Sequence, residues 1–258
     1  MDEYEAPVLW HLKVSHYNEK ARWALDYKGV PHRRKAPMPM AHMAWAMAMT
    51  RGQGKTFPIL KLNGDTVADS TKIIERLEHD YPVPPLYPDD PDDRRRALQL
   101  EEFFDEELAP HLRRAAFAEI TRDADSFAWI AAPHAGKVVH AGFKGTAAVA
   151  GRLTRLRYGI NAETAVEGRR KTIAAFERLE SEIGPSGYLV GDAFTVADLT
   201  AASLFFPLVQ PPESEHVIPG KLPQPLQEFR AEQEGRPGFE WVREMYRRHR
   251  GTSAEVPA

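Results

Sequence analysis

The sequence predicts two unlike halves: an α/β domain with a small mixed sheet, followed by an all-α helical domain. Three observations predict this. Strand and helix signals alternate over roughly the first eighty residues. A segment with four prolines between positions 83 and 91, VPPLYPDDP, then interrupts them, and beyond residue 93 strand signals disappear. The expected boundaries are 1–83 for the α/β domain, 84–93 for a stiff, solvated linker, 94–250 for the helical domain and 251–258 for a tail.

The first element is PVLWHL (7–12), a short β-rich apolar run. Tyr17, Ala21, Ala24 and Leu25 then repeat with a helical period, and Lys28-Gly29 closes that helix because glycine adopts the left-handed conformation without a Cβ clash. HRRKAPM (32–38) reads as an edge-type strand. Five of the seven methionines fall in PMPMAHMAWAMAMT, and good helix formers over 41–49 predict a short helix there. In FPILKLNGDTVADS, Asn63-Gly64 is the preferred pair for a two-residue type I′ hairpin turn between two strands. Residues 70–81 form an amphipathic helix with Ile73, Ile74 and Leu77 inward, stopped by Pro82.

In the second half, 94–117 is helical with a kink or break at Pro110. The Ala- and Gly-rich 122–165 predicts two helices with a break near 133–145. AETAVEGRRKTIAAFERLESEIG is a long helix, TVADLTAASLFFPL a more buried one, and PGFEWVREMYRRHRG a last helix opened by proline and closed by glycine.

Composition narrows the function. With 34 basic and 37 acidic side chains the net charge is −3, and basic clusters lie among acidic residues, which argues against a nucleic-acid or membrane-surface partner. There is no cysteine, so disulfides, zinc–thiolate sites and cysteine nucleophiles are excluded, and a reducing compartment is the natural setting. The ten histidines are dispersed without ligand spacing, so no metal is expected. The acidic MDEYEAP stretch holds no apolar h-region, so a secretory signal is not expected. The methionine-rich segment serves packing, including at a subunit interface, or forms a soft surface for variable ligands.

Three local patterns can carry chemistry. Ser15, between a strand and a helix, either caps the helix or acts at its N-terminus, where unpaired N–H groups suit a bound anion. If that anion is a thiolate, the hydroxyl can donate to sulfur and lower the thiol pKa, and the substrate brings the sulfur that the protein lacks. Pro58 opening a strand is awkward unless the Phe57–Pro58 bond is cis, which turns the Phe57 backbone toward a ligand; an ordinary edge-strand proline is the alternative. Ala68-Asp69-Ser70 either caps the next helix, or holds a carboxylate at Ser70 and an ammonium group at Asp69, as the α-amino-acid end of a ligand requires.

In order and spacing these motifs resemble the cytosolic glutathione S-transferases. KVSHYNEKARWALDYKGV resembles the family's first strand-loop-helix, with Ser15 seven residues before Arg22, at the catalytic position of the Ser/Cys-type branches that carry an SHY-type loop. TFPIL resembles the cis-proline segment, ADS the acidic-Ser motif that binds the γ-glutamyl group, and GDAFTVADLTAAS the N-capping-box helix, with Thr195 at N-cap and Asp198 at N3.

The resemblance covers nearly the whole chain. It implies a thioredoxin-like N-terminal domain, glutathione as co-substrate, a small hydrophobic electrophile, a homodimer and a cytoplasmic, detoxifying role. Ser15 is the implied catalytic residue, with Phe57, Pro58, Asp69, Ser70, Tyr17 and Asn18 around glutathione; Gln53, Lys55 and His11 are weaker assignments. The thiolate partner is Ser15 or a backbone N–H at Tyr17 or Asn18. The sequence also departs from the family pattern. Asn18 stands where many such relatives carry cysteine, which removes thioredoxin-like redox chemistry, and His11 occupies the register of the tyrosine in Tyr-type branches. A fold-sharing binding protein without catalysis, or a transferase using another small thiol, are the alternatives.

Overall fold

The computed structural model describes residues 5–37, 42–131, 137–216 and 222–257. The first part is a thioredoxin-like domain. Strand β1 (Val8–Trp10) runs parallel to β2 (Arg33–Lys35) and antiparallel to β3 (Ile59–Leu62), which pairs antiparallel with β4 (Asp65–Ala68). The sheet order is β2-β1-β3-β4, so β2 is at an edge. Helix α1 (His16–Tyr27) makes the crossover between the parallel strands, α2 (His42–Met49) precedes the hairpin, and α3 (Ser70–Asp80) follows it. Asn63 and Gly64 both have positive φ, 52° and 83°, as a type I′ turn requires. Residue 41 and the methionines at 38 and 40 lie outside the described residues.

The second part is all helical: α4 (Pro91–Phe103), α5 (Ala109–Ile120), α6 (Ala124–Ala131), α7 (Lys137–Tyr158), α8 (Ala162–Glu182), α9 (Val196–Val209), α10 (Gln224–Gln233) and α11 (Pro237–His249). The interruption expected at Pro110 takes the form of a π turn, Phe104–Leu108, in which the Ala109 N–H bonds the Phe104 carbonyl five residues back. Proline lacks an N–H and crowds the carbonyl four residues before it, and widening the preceding turn relieves both defects.

The break expected near 133–145 differs from what is found. Helix α7 is already under way at Lys137 and runs through Gly142 and Gly145, each with open space where a Cβ would point. Glycine weakens a helix by only about 1 kcal/mol relative to alanine, and a helix of 22 residues absorbs two. Residues 132–136 lie outside the described set. Helix α10 is an element that the sequence reading does not include.

Helix α9 is the axis of the molecule. It is buried on nearly every side, packs against α1, α4 and α11, and makes the core continuous between the two halves. Its start is held by Asp198, whose carboxylate accepts the Thr195 N–H, the Thr195 hydroxyl and the Leu189 N–H, all at 2.8 Å. Beside it, α5 and α8 approach closely because of Gly168, where a Cβ would lie 2.6 Å from the His111 carbonyl oxygen.

The chain end returns to the first domain. The His32 N–H donates to the Ala254 carbonyl (3.3 Å) and the Val256 N–H donates to the His32 carbonyl (2.8 Å), next to edge strand β2. Just before this, the fully buried Arg250 inserts against α1. Its Nε bonds Glu19 and its Nη1 bonds Asp26, both at 2.8 Å. Glu19 is shared with Arg22, and Asp26 with Arg34, which also reaches Glu215. Three arginines thus meet three carboxylates, which satisfies the rule that buried charges be paired.

Candidate active site

A cleft of about 1380 Å³ opens between the sheet domain and the helical domain. Two helix starts face it. At the first, the β1–α1 loop delivers Ser15 to the N-cap of α1, in extended backbone conformation. Its hydroxyl does not cap the helix. Instead the Asn18 side-chain amide donates to Ser15 Oγ at 2.8 Å. The first intrahelical bond runs from the Glu19 N–H to the Ser15 carbonyl, so the N–H groups ahead of it belong to the unpaired set of a helix start.

Asn18 itself is fully buried. Its Oδ1 accepts the Leu12 N–H (3.1 Å), and its Nδ2 also donates to the Phe57 carbonyl (3.2 Å). One amide therefore ties together the β1–α1 loop, the serine and the strand that begins after Pro58. The Phe57–Pro58 peptide is cis.

At the second helix start, Asp69 is the N-cap of α3, accepting the Thr71 and Lys72 N–H groups at 2.9 and 3.4 Å. Its φ of 89° lies in a region that non-glycine residues rarely occupy, and the Asp69 N–H bonds the Pro58 carbonyl (3.3 Å). Strained backbone of this kind recurs at ligand clamps. Ser70 follows as the first helical residue.

Of the residues singled out in the sequence, the cleft brings together Ser15, Tyr17, Gln53, Phe57, Pro58, Asp69 and Ser70. Three stand apart from its lining. Asn18 lies behind Ser15. Lys55 is exposed but does not face the cleft. His11 is buried, with Nδ1 2.8 Å from Arg22 Nη1. Tyr17 lines the cleft, yet its hydroxyl is committed, donating to the Asp105 carbonyl at 2.8 Å across to the helical half. Burial pushes the Tyr17 pKa well above the ordinary phenol range.

Sequence reasoning missed two features. Lys20 is fully buried and bonds Asp105 (2.6 Å), Glu101 (2.8 Å) and Thr71 (3.0 Å), joining α1, α3 and α4 behind the cleft. The available signal was its position on the apolar stripe of α1, between Tyr17 and Ala24. The other is Arg113 of α5, whose guanidinium lies 5.9 Å from the Tyr17 ring centroid and 4.5 Å from that of Tyr158. Nothing local in the sequence distinguishes Arg113 from Arg114.

Two buried histidines, His16 in the cleft lining and His11 behind it, are held neutral. Burial, with the Arg22 charge, pushes His11 down to about 2, and burial, with the Arg113 charge, pushes His16 down to about 3. In the unfolded chain both protonate near 6.5, so the unfolded state binds more protons at every pH between these values. The contribution of these histidines is complete above about pH 6.5 and falls as the pH falls, by up to about 1.4 kcal/mol per pH unit for each. Thermal unfolding across pH 8 to 4.5 is expected to show a falling Tm that begins near pH 6.5. His16→Gln should flatten this limb, and an unchanged slope in that variant would exclude His16 as a contributor.

Residues 9–85 match the family model of the glutathione S-transferase N-terminal domain, and residues 114–239 match that of the glutathione S-transferase C-terminal domain. The chain belongs to the glutathione S-transferase superfamily. Solved glutathione S-transferase structures share the fold across both domains. The glutathione transferase GSTFuA3 from Phanerochaete chrysosporium superposes with a TM-score of 0.64 at 18% identity, covering 99% of this chain and all of that one. The β-etherase LigF from Sphingobium sp. strain SYK-6 gives 0.61 at 22%, covering 93% and 99%. A glutathione S-transferase from Methylobacterium radiotolerans, solved in complex with glutathione sulfonate, gives 0.55 at 22%, covering 92% and 93%. No curated protein matches the sequence. Among the described residues no helix is long and apolar enough to cross a membrane, and no cluster of His, Asp and Glu suits a metal ion.

Proposed function

We propose that the protein is a glutathione transferase of the serine type. Glutathione lies across the sheet side of the cleft, with its γ-glutamyl carboxylate at the Ser70 hydroxyl and the α3 helix start, its ammonium group toward Asp69, and its main chain along Phe57. Its sulfur lies at Ser15. The observation that carries this reading is the Asn18–Ser15 hydrogen bond. An amide N–H only donates, so it occupies Ser15 Oγ as an acceptor and leaves the hydroxyl hydrogen for a partner in the cleft.

A thiolate at that point receives the Ser15 hydroxyl bond and the field of the α1 N-terminus. Each unit by which they lower the thiol pKa corresponds to about 1.4 kcal/mol. The thiolate attacks an electrophile held by the helical wall of the cleft, with Ser15 remaining unmodified. Neighbours of the same fold with glutathione or a glutathione derivative in the active site support glutathione as the thiol. We also assign a homodimer, on the likeness to the family.

The test is thermal-shift titration with glutathione. Free ligand at a hundred times Kd is expected to stabilise the fold by about 2.7 kcal/mol. No stabilisation at millimolar glutathione, with other small thiols active, would point to a different co-substrate. Silence toward every thiol would point to a binding protein without the chemistry.

A further inference from the structure

Arg113 is a partly buried charge in the cleft lining. No carboxylate among the described residues lies within ion-pair distance of it, and its Nε is buried without a hydrogen-bond partner. Of the acids near it, Glu101 and the Asp105 Oδ2 oxygen are engaged by Lys20 and Thr71, Asp105 Oδ1 is buried without a partner, and Glu102 and Glu106 lie in the cleft lining with no ion pair to Arg113. The guanidinium carbon lies over the rings of Tyr17 (5.9 Å) and Tyr158 (4.5 Å), and Phe117 stacks on Tyr158 at 5.8 Å. A guanidinium lying over aromatic rings still offers its planar N–H edge, and that edge matches a carboxylate in two parallel hydrogen bonds. A second buried atom nearby is also without a partner: His16 Nε2, one residue from Ser15, on a ring 4.7 Å from Tyr17.

The surroundings define the rest of a ligand. The helical wall also carries an apolar set, Leu112, Phe117, Ile120, Ile130 and Phe206, beside the acidic residues of the α4–α5 turn. An uncharged hydrophobic molecule would fill that wall and leave the guanidinium without its counter-charge, and a small anion would leave the wall empty. We infer that the second substrate is an aromatic or otherwise flat apolar electrophile bearing a carboxylate, with Arg113 as the specificity-determining residue that pairs with it. This rests on the transferase reading for the reaction, but not for the binding. Tyr17 lies two residues from Ser15 on the first turn of α1, so a carboxylate on Arg113 places the body of the ligand next to the proposed sulfur position.

A matched pair of probes tests this: 4-chloro-3,5-dinitrobenzoate and its neutral amide, 4-chloro-3,5-dinitrobenzamide, each with glutathione. The thiol proton goes to solvent, the sulfur lone pair forms the C–S bond at the chlorine-bearing carbon, and chloride leaves with the C–Cl electron pair. The expected result is a kcat/KM for the benzoate at least tenfold above that for the amide. Arg113→Met should reduce this ratio about tenfold or more, to near one, the loss of one charge-assisted contact, and Arg113→Lys should restore part of it.

A ratio near one in the unsubstituted protein, or a ratio unmoved by Arg113→Met, overturns the inference. Calorimetric binding of the unreactive 3,5-dinitrobenzoate and 3,5-dinitrobenzamide separates the two claims. Selective, Arg113-dependent binding of the benzoate without conjugation of either chloride keeps the anion site and removes the transferase reading. Conjugation of both chlorides with no preference for the acid does the reverse.

Discussion

Ser15→Ala is expected to lower the rate of glutathione conjugation about ten- to a hundredfold while changing glutathione affinity far less. The range follows from removing one hydrogen bond to a charged group, about 1.5–3 kcal/mol. The hydroxyl matters once the thiol has ionised, so its loss falls on the thiolate and hardly on the bound thiol. The same variant should shift the acid limb of the pH–rate profile upward by one to two units. Folding should be little affected, because the Ser15 side chain caps no helix N–H and only the Asn18 amide loses an acceptor. Unchanged activity and an unchanged pH profile would remove Ser15 from the chemistry and leave the helix N–H groups as the thiolate's partners.

The second large effect is on stability. Arg250→Met should destabilise the protein by about 3–5 kcal/mol, the usual consequence of stripping one partner from a buried ion pair. It leaves Glu19, fully buried, with Arg22 as its one arginine, and Asp26 with Arg34 as its one arginine. Burial acts to raise the Glu19 pKa, but Arg250 and Arg22 together overcome it and hold the carboxyl well below the usual carboxylate range. Removing Arg250 weakens that hold. At roughly 2–4 °C per kcal/mol for a chain of this size, Tm should fall by about 10 °C. Arg250→Lys should recover only part of this, because an ammonium group lacks the fork that reaches two carboxylates at once. A Tm within 2 °C of the parent would show that the cluster relaxes around the gap.

How far the sequence discloses this depends on the range of the interaction. Asn63-Gly64 and the 70–80 helix are set by adjacent residues, and both were legible. So was the Thr195–Asp198 pair, three residues apart. Ser15 was legible as a residue at a helix start, but not as one whose hydroxyl is held away from the cap by Asn18; two side chains in one turn allow both arrangements, and the neighbouring Phe57 carbonyl decides between them. Arg113 was invisible for a different reason. Its meaning comes from two tyrosines, 96 residues earlier and 45 residues later in the chain, and from the lack of an ion-pair partner among the described residues. The burial of Glu19, Lys20 and Arg22 was not legible either, because it comes from α9, α3 and α11 enclosing the helix.

Arg250 also dictates an order of assembly. Glu19 and Asp26 draw one of their arginines from 231 and 224 residues further along the chain, and His32 takes its backbone partners from Ala254 and Val256. On a translating ribosome the sheet domain emerges before the helical one, yet α1 and the outer strand cannot reach their final charge balance or edge pairing until residues 250–256 have been made. The two halves are therefore consecutive in synthesis but simultaneous in completion. The serine-bearing turn at the start of α1, which forms the floor of the cleft, acquires its finished support last.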